Sequence, residues 1–140
     1  MAANTSPIFS AKGYIGFSDA VLLTANTTKD LTSGTIVLCA TGATDGSYLE
    51  RIVFRALGTN VATVARVWVN NGATTGTATN NRLIDEITLS ATTVSEVASL
   101  VAYELPLRFV LPSGYRIYCT VGTGVAAGYH VTVFGGEYTA

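Results

Sequence analysis

Apolar and polar side chains alternate most regularly over residues 48–70, where two runs flank the turn-forming residues Gly58-Thr59-Asn60. One face of the two runs is apolar and the other is mixed: Ile52, Phe54, Ala56, Ala65, Val67 and Val69 against Arg51, Val53, Arg55, Arg66, Trp68 and Asn70. Because side chains alternate across a strand and Gly and Asn favour tight turns, the pattern predicts a β-hairpin. Two strands alone are only marginally stable, so this hairpin must recruit other strands to bury its apolar face.

Shorter runs with strand-like patterns recur along the rest of the chain. They cover residues 12–17, 20–24, 35–40, 82–89, 100–111, 115–121 and 129–134. Asp85 interrupts an otherwise apolar face that holds Leu83 and Ile87, and Pro106 lacks an N–H donor, which predicts a strand break, a bulge or an edge position. About 7–9 short strands, with Gly- and Asn-rich turns and no long amphipathic helix, predict an all-β fold, an antiparallel β-sandwich or jelly roll.

The start of the chain differs from the rest in being small and polar. Residues 1–11 show no periodicity, and Pro7, Ile8 and Phe9 are their only anchoring features. We expect an extended N-terminal arm over residues 1–11 and one β-sandwich domain over residues 12–140, since a chain of 140 residues is most simply one domain. A proline limits the freedom of an unfolded arm, and an extended segment can add to a neighbour's sheet edge. The arm is therefore expected to order only on assembly.

Few residues are charged for a chain that has no membrane-spanning pattern. Charged residues make up 12% of the sequence, against about a quarter in typical soluble domains, and the mean hydropathy is +0.41. No apolar run approaches the roughly 18 residues that a membrane span needs. Much neutral surface is therefore expected to be buried against copies of the chain or a partner. A net charge of -1 with scattered Arg and Lys gives no sign of nucleic-acid binding.

The two cysteines, Cys39 and Cys119, each lie within an apolar strand-like run. Free cysteine behaves as a small buried hydrophobic residue, and we favour this role for both cysteines. The alternative is a disulfide, which would need their Cα atoms within about 7 Å of each other. The N-terminal residues lack a basic region followed by an apolar core, so no secretory signal is expected. The protein is therefore expected in a reducing cytoplasm, at least until assembly or release.

Catalytic motifs are absent from the sequence. A structural or surface role is expected for His130, the only histidine, because a metal site needs several His, Cys or carboxylate ligands. Asp85 and Glu86 are adjacent, so on a strand they point to opposite faces and cannot act as a carboxylate pair. We expect no enzyme and no bound metal or cofactor, although a catalytic pair that the fold assembles from distant residues stays an open alternative.

Arginine and aromatic side chains on the mixed strand faces, together with the apolar residues of the arm, are candidates for an interface. They are Pro7, Ile8, Phe9, Arg51, Arg55, Arg66, Trp68 and Tyr118. One interpretation is a solvated sheet face with cross-strand pairs. The other is a protein-binding face, because Arg, Trp and Tyr are enriched at interface hot spots. Trp68 is expected either in an interface or in a contact that covers the sheet.

Four stretches of the chain resemble small structural proteins of tailed bacteriophages. They are RIVFRALGTNVATVARVWVNNG (51–72), LIDEITLSATTVSE (83–96), ELPLRFVLPSGYRI (104–117) and VAAGYHVTVFGGEY (125–138). They look most like capsid decoration, or cement, proteins with a jelly-roll fold. The resemblance implies a virion structural protein, made in the host cytoplasm, that forms a homo-oligomer, either a dimer or a trimer. It also implies binding to the major capsid protein on the outer surface of the phage head, which stabilises the head. No catalytic or interface residue is carried over.

A carbohydrate- or receptor-binding β-sandwich of a phage tail or fibre is the alternative, since jelly rolls serve that function too. Such a site usually needs exposed aromatic side chains in a loop or groove. Here Trp68 and Tyr118 lie within strands, and the loop 71–81 has no aromatic residue, which disfavours sugar binding. A tail-tube or neck component would share the same sequence features.

Overall fold

Eight β-strands lie within residues 10–138, the part of the chain that the computed structural model describes. They are β1 (Lys12–Phe17), β2 (Val37–Thr41), β3 (Ser47–Ala56), β4 (Thr63–Asn70), β5 (Asn81–Leu89), β6 (Ala102–Leu111), β7 (Arg116–Val121) and β8 (Tyr129–Glu137). A short 3-10 turn, Ala78–Asn80, precedes β5. Among these residues, no helix is long and apolar enough to cross a membrane. Only Ser10 and Ala11 of the expected arm fall within the described part.

The strands form two four-stranded antiparallel sheets around a common core. One sheet has the order β1-β8-β3-β6 and the other the order β2-β7-β4-β5. Eight strands in this arrangement form a jelly roll, so the predicted all-β sandwich is confirmed. The strand expected over residues 20–24 forms only an isolated bridge, between Leu22 and Tyr129.

The predicted hairpin over residues 48–70 is wrong, although both of its strands are present. β3 and β4 lie in different sheets, and residues 57–62 cross from one sheet to the other. The crossing is fixed by Asn60, whose Oδ1 accepts hydrogen bonds from the amides of Ala127 (2.8 Å) and Gly128 (2.9 Å). Alternation shows which side of a strand is apolar but does not show which strand lies beside it, because both sheets of a sandwich alternate alike.

The apolar strand faces predicted from the alternation meet in the buried core. Its central side chains are at most 1% exposed: Ile52, Phe54, Ala65, Val67, Ile117, Cys119, Val131 and Val133. Cys39 and Cys119 are both free and buried, which confirms their interpretation as small hydrophobic residues. Burial, with the Cys39 thiol beside it, raises the pKa of Cys119 well above its ordinary value.

Three of the four edge strands are irregular. The register of β2 against β7, of β6 against β3 and of β5 against β4 shifts by a residue within each pair. In β6 the irregularity follows Pro106 and includes Arg108, whose φ is 54°, so the predicted bulge or edge position of Pro106 is confirmed. The fourth edge strand, β1, pairs with β8 from Lys12 to Phe17 without a shift.

The irregularity in β5 changes the side of the sheet on which the side chains of its first half lie. Leu83 is the register partner of Trp68, whereas Ile87 is the partner of Ala65 in the core. The expected shared face of Leu83 and Ile87 is therefore wrong. The extra residue of the bulge reverses the alternation between Leu83 and Ile87.

Candidate docking face

The described candidate interface residues divide between the two outer faces of the sandwich. Arg51 and Arg55 point outward from the sheet β1-β8-β3-β6, whereas Arg66, Trp68 and Tyr118 point outward from the sheet β2-β7-β4-β5. This follows from strand alternation, because their neighbours in sequence belong to the core cluster. These five residues therefore cannot form one surface. The other candidates lie outside the described residues: Pro7, Ile8 and Phe9.

Trp68 is buried even though it points away from the core. It is 1% exposed but does not belong to the core cluster. Its indole Nε1 donates a hydrogen bond of 3.1 Å to the hydroxyl of Thr120, which is itself buried. A side chain on an outer face can be buried only where another part of the chain covers it. Trp68 thus lies in a contact that covers the sheet and is not accessible to a partner in this structure.

The segment between β1 and β2 crosses this outer face lengthwise. At one end, the amide of Asn26 donates to the carbonyl of Val121, the last residue of β7 (2.7 Å). At the other end, Asn81 Nδ2 at the start of β5 donates to the carbonyl of Asp30 (2.9 Å). The registers place Val121 and Asn81 at opposite ends of the sheet. We name residues 26–34 the covering segment and this surface the covered face.

Side-chain hydrogen bonds and one buried leucine hold the covering segment in place. Asn26 Nδ2 donates to the carbonyls of Ser33 (2.9 Å) and Thr35 (3.0 Å). Leu31 is 1% exposed and lies outside the core cluster. Its φ of 65° is unfavourable for a leucine, so the burial of this side chain beneath the segment must offset the backbone strain.

Arg66 is also largely withdrawn from solvent on the covered face. Its side chain is 12% exposed, and its Nε forms an ion pair with Glu86 Oε1 at 2.7 Å. One guanidinium nitrogen, Nη1, is buried without a hydrogen-bond partner among the described residues. A cation that is buried to this degree depends on its carboxylate partner, so Arg66 is held on this face by Glu86 of its own chain.

The outer face of the other sheet has no such cover among residues 10–138. Its side chains form two rows across the four strands in the order β1, β8, β3, β6: Ile15, Phe134, Arg51 and Pro106, then Phe17, Thr132, Val53 and Glu104. Phe17 is 77% exposed and Ile15 is 57% exposed. We name this surface the bare face. Large apolar side chains that are exposed together mark interaction sites more often than isolated ones do.

Arg51 occupies the centre of the bare face in a fixed position. Its guanidinium lies 4.6 Å from the centroid of the Phe134 ring, and its Nη1 donates to Glu104 Oε2 at 2.6 Å. A cation over an aromatic face and a charge-assisted hydrogen bond both restrict the side chain. Arg51 is therefore already ordered before any partner binds.

One corner of the bare face carries the cationic Arg55 and a surface hollow. Arg55 lies in register with His130 on β8, and both side chains are exposed. Phe17 and His130 line a surface hollow of about 360 Å³ together with Ser18, Val131 and Thr132. Within the described residues, no group of three or more His, Cys, Asp or Glu is placed to bind a metal. The arrangement on this face is suited to apolar contact and ion pairing.

The exposure of β1 was not expected from the sequence, and the signal that reveals it is a glycine. Gly16 lies at an inward position, and a Cβ added there would lie 2.5 Å from the carbonyl oxygen of Cys39. The close approach of β1 to β2 requires glycine at this position. The two large apolar residues on either side of it, Ile15 and Phe17, therefore point outward.

No known protein-family model matches the chain, and no curated protein sequence is significantly similar to it. The residues of the bare face offer exposed apolar area and an ordered arginine, whereas those of the covered face are already in contact with the covering segment.

Proposed function

We propose that this chain is a non-enzymatic virion structural protein, a capsid decoration protein that binds the outer surface of a phage head through its bare face and stabilises the head. The observation that carries the proposal is the uncovered sheet face on which Phe17 and Ile15 are exposed beside the ordered Arg51. The resemblance to decoration proteins suggests the assembly, and the bare face supplies the contact with its major capsid protein.

The composition of the bare face supports binding to a protein surface. Aromatic and arginine side chains provide most of the energy at interface hot spots. Arg51 is held by Phe134 and Glu104, so little side-chain entropy is lost when a partner packs against it. Val53 is half-buried in the second row, beside Arg51 in the first, and provides an apolar centre for the contact.

The difference between the two outer faces supports a protein that lies on a larger surface. In the proposed arrangement the bare face lies against the shell and the covered face is directed away from it. The covered face suits this outward position, because its largest side chain, Trp68, is buried. The low content of charged residues, 12%, agrees with a chain that buries part of its surface in an assembly.

Binding to phage heads tests the proposal directly. The purified full chain is added to heads of the source phage from which accessory proteins have been removed, and the bound fraction is measured by sedimentation. We expect saturable binding and a higher temperature of head disruption. Val53→Lys should reduce retention on heads by about tenfold or more, because it places a charge at the centre of the contact. The variant should still fold, because the lysine ammonium can pair with Glu104 in the free protein.

Val97→Lys is the matched control for this experiment. Val97 is 97% exposed in the loop before β6 and belongs to neither row of the bare face, so this variant should bind like the unchanged chain. Absence of binding to heads by the unchanged chain would contradict the proposal. Binding to a glycan array without affinity for heads would instead support the carbohydrate-binding alternative.

A further inference from the structure

The four edge strands of the sandwich are not equally protected against strand addition. β2, β5 and β6 each carry a register shift, and β6 also contains Pro106. Bulges and prolines are the features that prevent exposed edges from pairing with another chain. β1 is regular over its six residues, Lys12–Phe17. It is therefore the edge strand on which another strand can be added.

The backbone N–H and C=O groups of β1 that do not bond to β8 belong to the residues whose side chains are exposed. The amide of Ser18, just beyond β1, donates to the carbonyl of Val131 at 3.0 Å. Since inter-strand hydrogen bonds alternate along an antiparallel strand, the N–H and C=O groups of Gly13, Ile15 and Phe17 point away from β8. These three residues are all exposed.

The side chains of this edge are complementary to a second copy of the same edge. If two β1 strands pair antiparallel about a two-fold axis at Ile15, each Phe17 lies opposite Gly13 of the other copy. A Cβ placed on Gly13 meets nothing within 4 Å, so there is space for the phenyl ring. The two Ile15 side chains then lie beside each other and shield apolar surface that is 57% exposed in one chain.

The described residues that lead into β1 lie on the side of β8 and not at the free edge of the strand. Ser10 and Ala11 continue in line with the strand, and both hydrogen-bond to the carbonyl of Glu137.

We propose that this chain forms a two-fold symmetric dimer in which the β1 strands of two copies pair antiparallel, with Ile15 opposite Ile15 and Gly13 opposite Phe17. Three hydrogen-bonded residue pairs give about six backbone hydrogen bonds, and the two sheets merge into one sheet of eight strands. Residues on one side of β1 stay on one side of the merged sheet, so both bare faces point in the same direction.

The proposal stands on the geometry of the edge and does not depend on the identity of the assembly that the bare face binds. A dimer with two bare faces on one side is compatible with docking on a capsid. The dimer should also form if the chain does not bind phage heads, and the two outcomes can be told apart because self-association is measured on the isolated chain.

Self-association of the full chain is measured by sedimentation velocity over a concentration series. We expect reversible dimers with a dissociation constant on the order of 10 micromolar, because strand pairing buries less area than a standard interface. Ile15→Lys should weaken the dimer by about tenfold or more, since it places two like charges opposite each other. Val110→Lys is the matched control, because Val110 is 50% exposed and lies on the opposite edge strand of the same sheet.

A cysteine at the two-fold axis tests the register. In Ile15→Cys the two introduced thiols face each other, and an oxidant should link them, because paired Cα atoms about 5.5 Å apart permit a disulfide. Val110→Cys should not form linked dimers, and the native Cys39 and Cys119 are buried. A monomer at all concentrations, a dimer that survives Ile15→Lys, or equal cross-linking of both cysteine variants would overturn the proposal.

Discussion

The two outer faces of this sandwich have similar sequence patterns and different environments. On the covered face, Trp68 is 1% exposed; on the bare face, Phe17 is 77% exposed. Both are aromatic residues at outward positions of regular alternation. The difference arises from the covering segment, which passes over one sheet and leaves the other uncovered. An outward aromatic side chain therefore indicates an extra contact without showing whether the same chain or a partner supplies it.

The consequences of this difference extend to the charged residues. Arg66 and Arg51 each form an ion pair with a glutamate of the adjacent strand, at 2.7 Å and 2.6 Å. The side chain of Arg66 is 12% exposed, whereas that of Arg51 is 43% exposed. Burial makes the first pair part of the folded structure, while the second is accessible to a partner. Mutations on the two faces should therefore affect different properties.

The largest expected difference is between Trp68→Ala and Phe17→Ala. Removal of the buried indole should lower the free energy of unfolding by about 3–5 kcal/mol, because it leaves a cavity beneath the covering segment. Removal of the exposed phenyl ring should change it by less than about 0.5 kcal/mol. Urea titration of both variants measures the two values. Similar losses for the two variants would mean that the faces do not differ in cover.

A smaller effect is expected when the covering segment is detached at one end. Asn81→Ala removes the hydrogen bonds from Asn81 to the carbonyls of Asp30 and Thr75 and from Asn70 to Asn81. The free energy of unfolding should fall by about 2 kcal/mol.

Quenching of Trp68 fluorescence by acrylamide provides a second measurement on Asn81→Ala. It should rise in this variant if the segment moves away from the covered face. Asn80→Ala is the control, because the side chain of Asn80 bonds to Thr74 in the same loop and to Asn71, and to no residue of the covering segment that the structure describes. If quenching is the same in both variants, Trp68 is covered by some other part of the chain.

The smallest difference concerns the two ion pairs. Glu86→Gln should destabilise the fold by about 1–2 kcal/mol, because Arg66 is then left largely buried without its carboxylate. Glu104→Gln should cost less than about 0.5 kcal/mol, since the pair with Arg51 is exposed to solvent. Thermal unfolding at low and high salt gives both values, and high salt should reduce the effect only for Glu104→Gln. The reverse order would show that Arg51 and not Arg66 is the structural residue.

Much of the secondary structure could be predicted from the sequence, because strand alternation is a local property. The predicted runs correspond to all eight strands, and the alternation identified the core side chains around Ile52, Phe54 and Val67. The candidate interface was less predictable. Arg51 and Arg55 were grouped with Arg66, Trp68 and Tyr118, although the two sets lie on opposite sides of the sandwich.

The errors have a common physical origin in long-range contacts. β3 and β4 are separated by six residues but belong to different sheets, because a jelly roll places strands beside partners that are distant in sequence. Trp68 is covered by a segment whose path depends on hydrogen bonds to Val121 and Asn81, and Leu31 of that segment is buried too. No local pattern contains these contacts.

The sequence by itself determined the class of the fold, the strands and the apolar side of most of them, because side-chain direction follows from the two-residue period of a strand. The tertiary structure alone decided which strands are neighbours, which outer face is covered and which edge is regular. Gly16 shows the division most clearly. Its identity is a property of the sequence. Its close approach to the Cys39 carbonyl exists only once β1 lies against β2. That approach requires a residue without a Cβ at the position between Ile15 and Phe17.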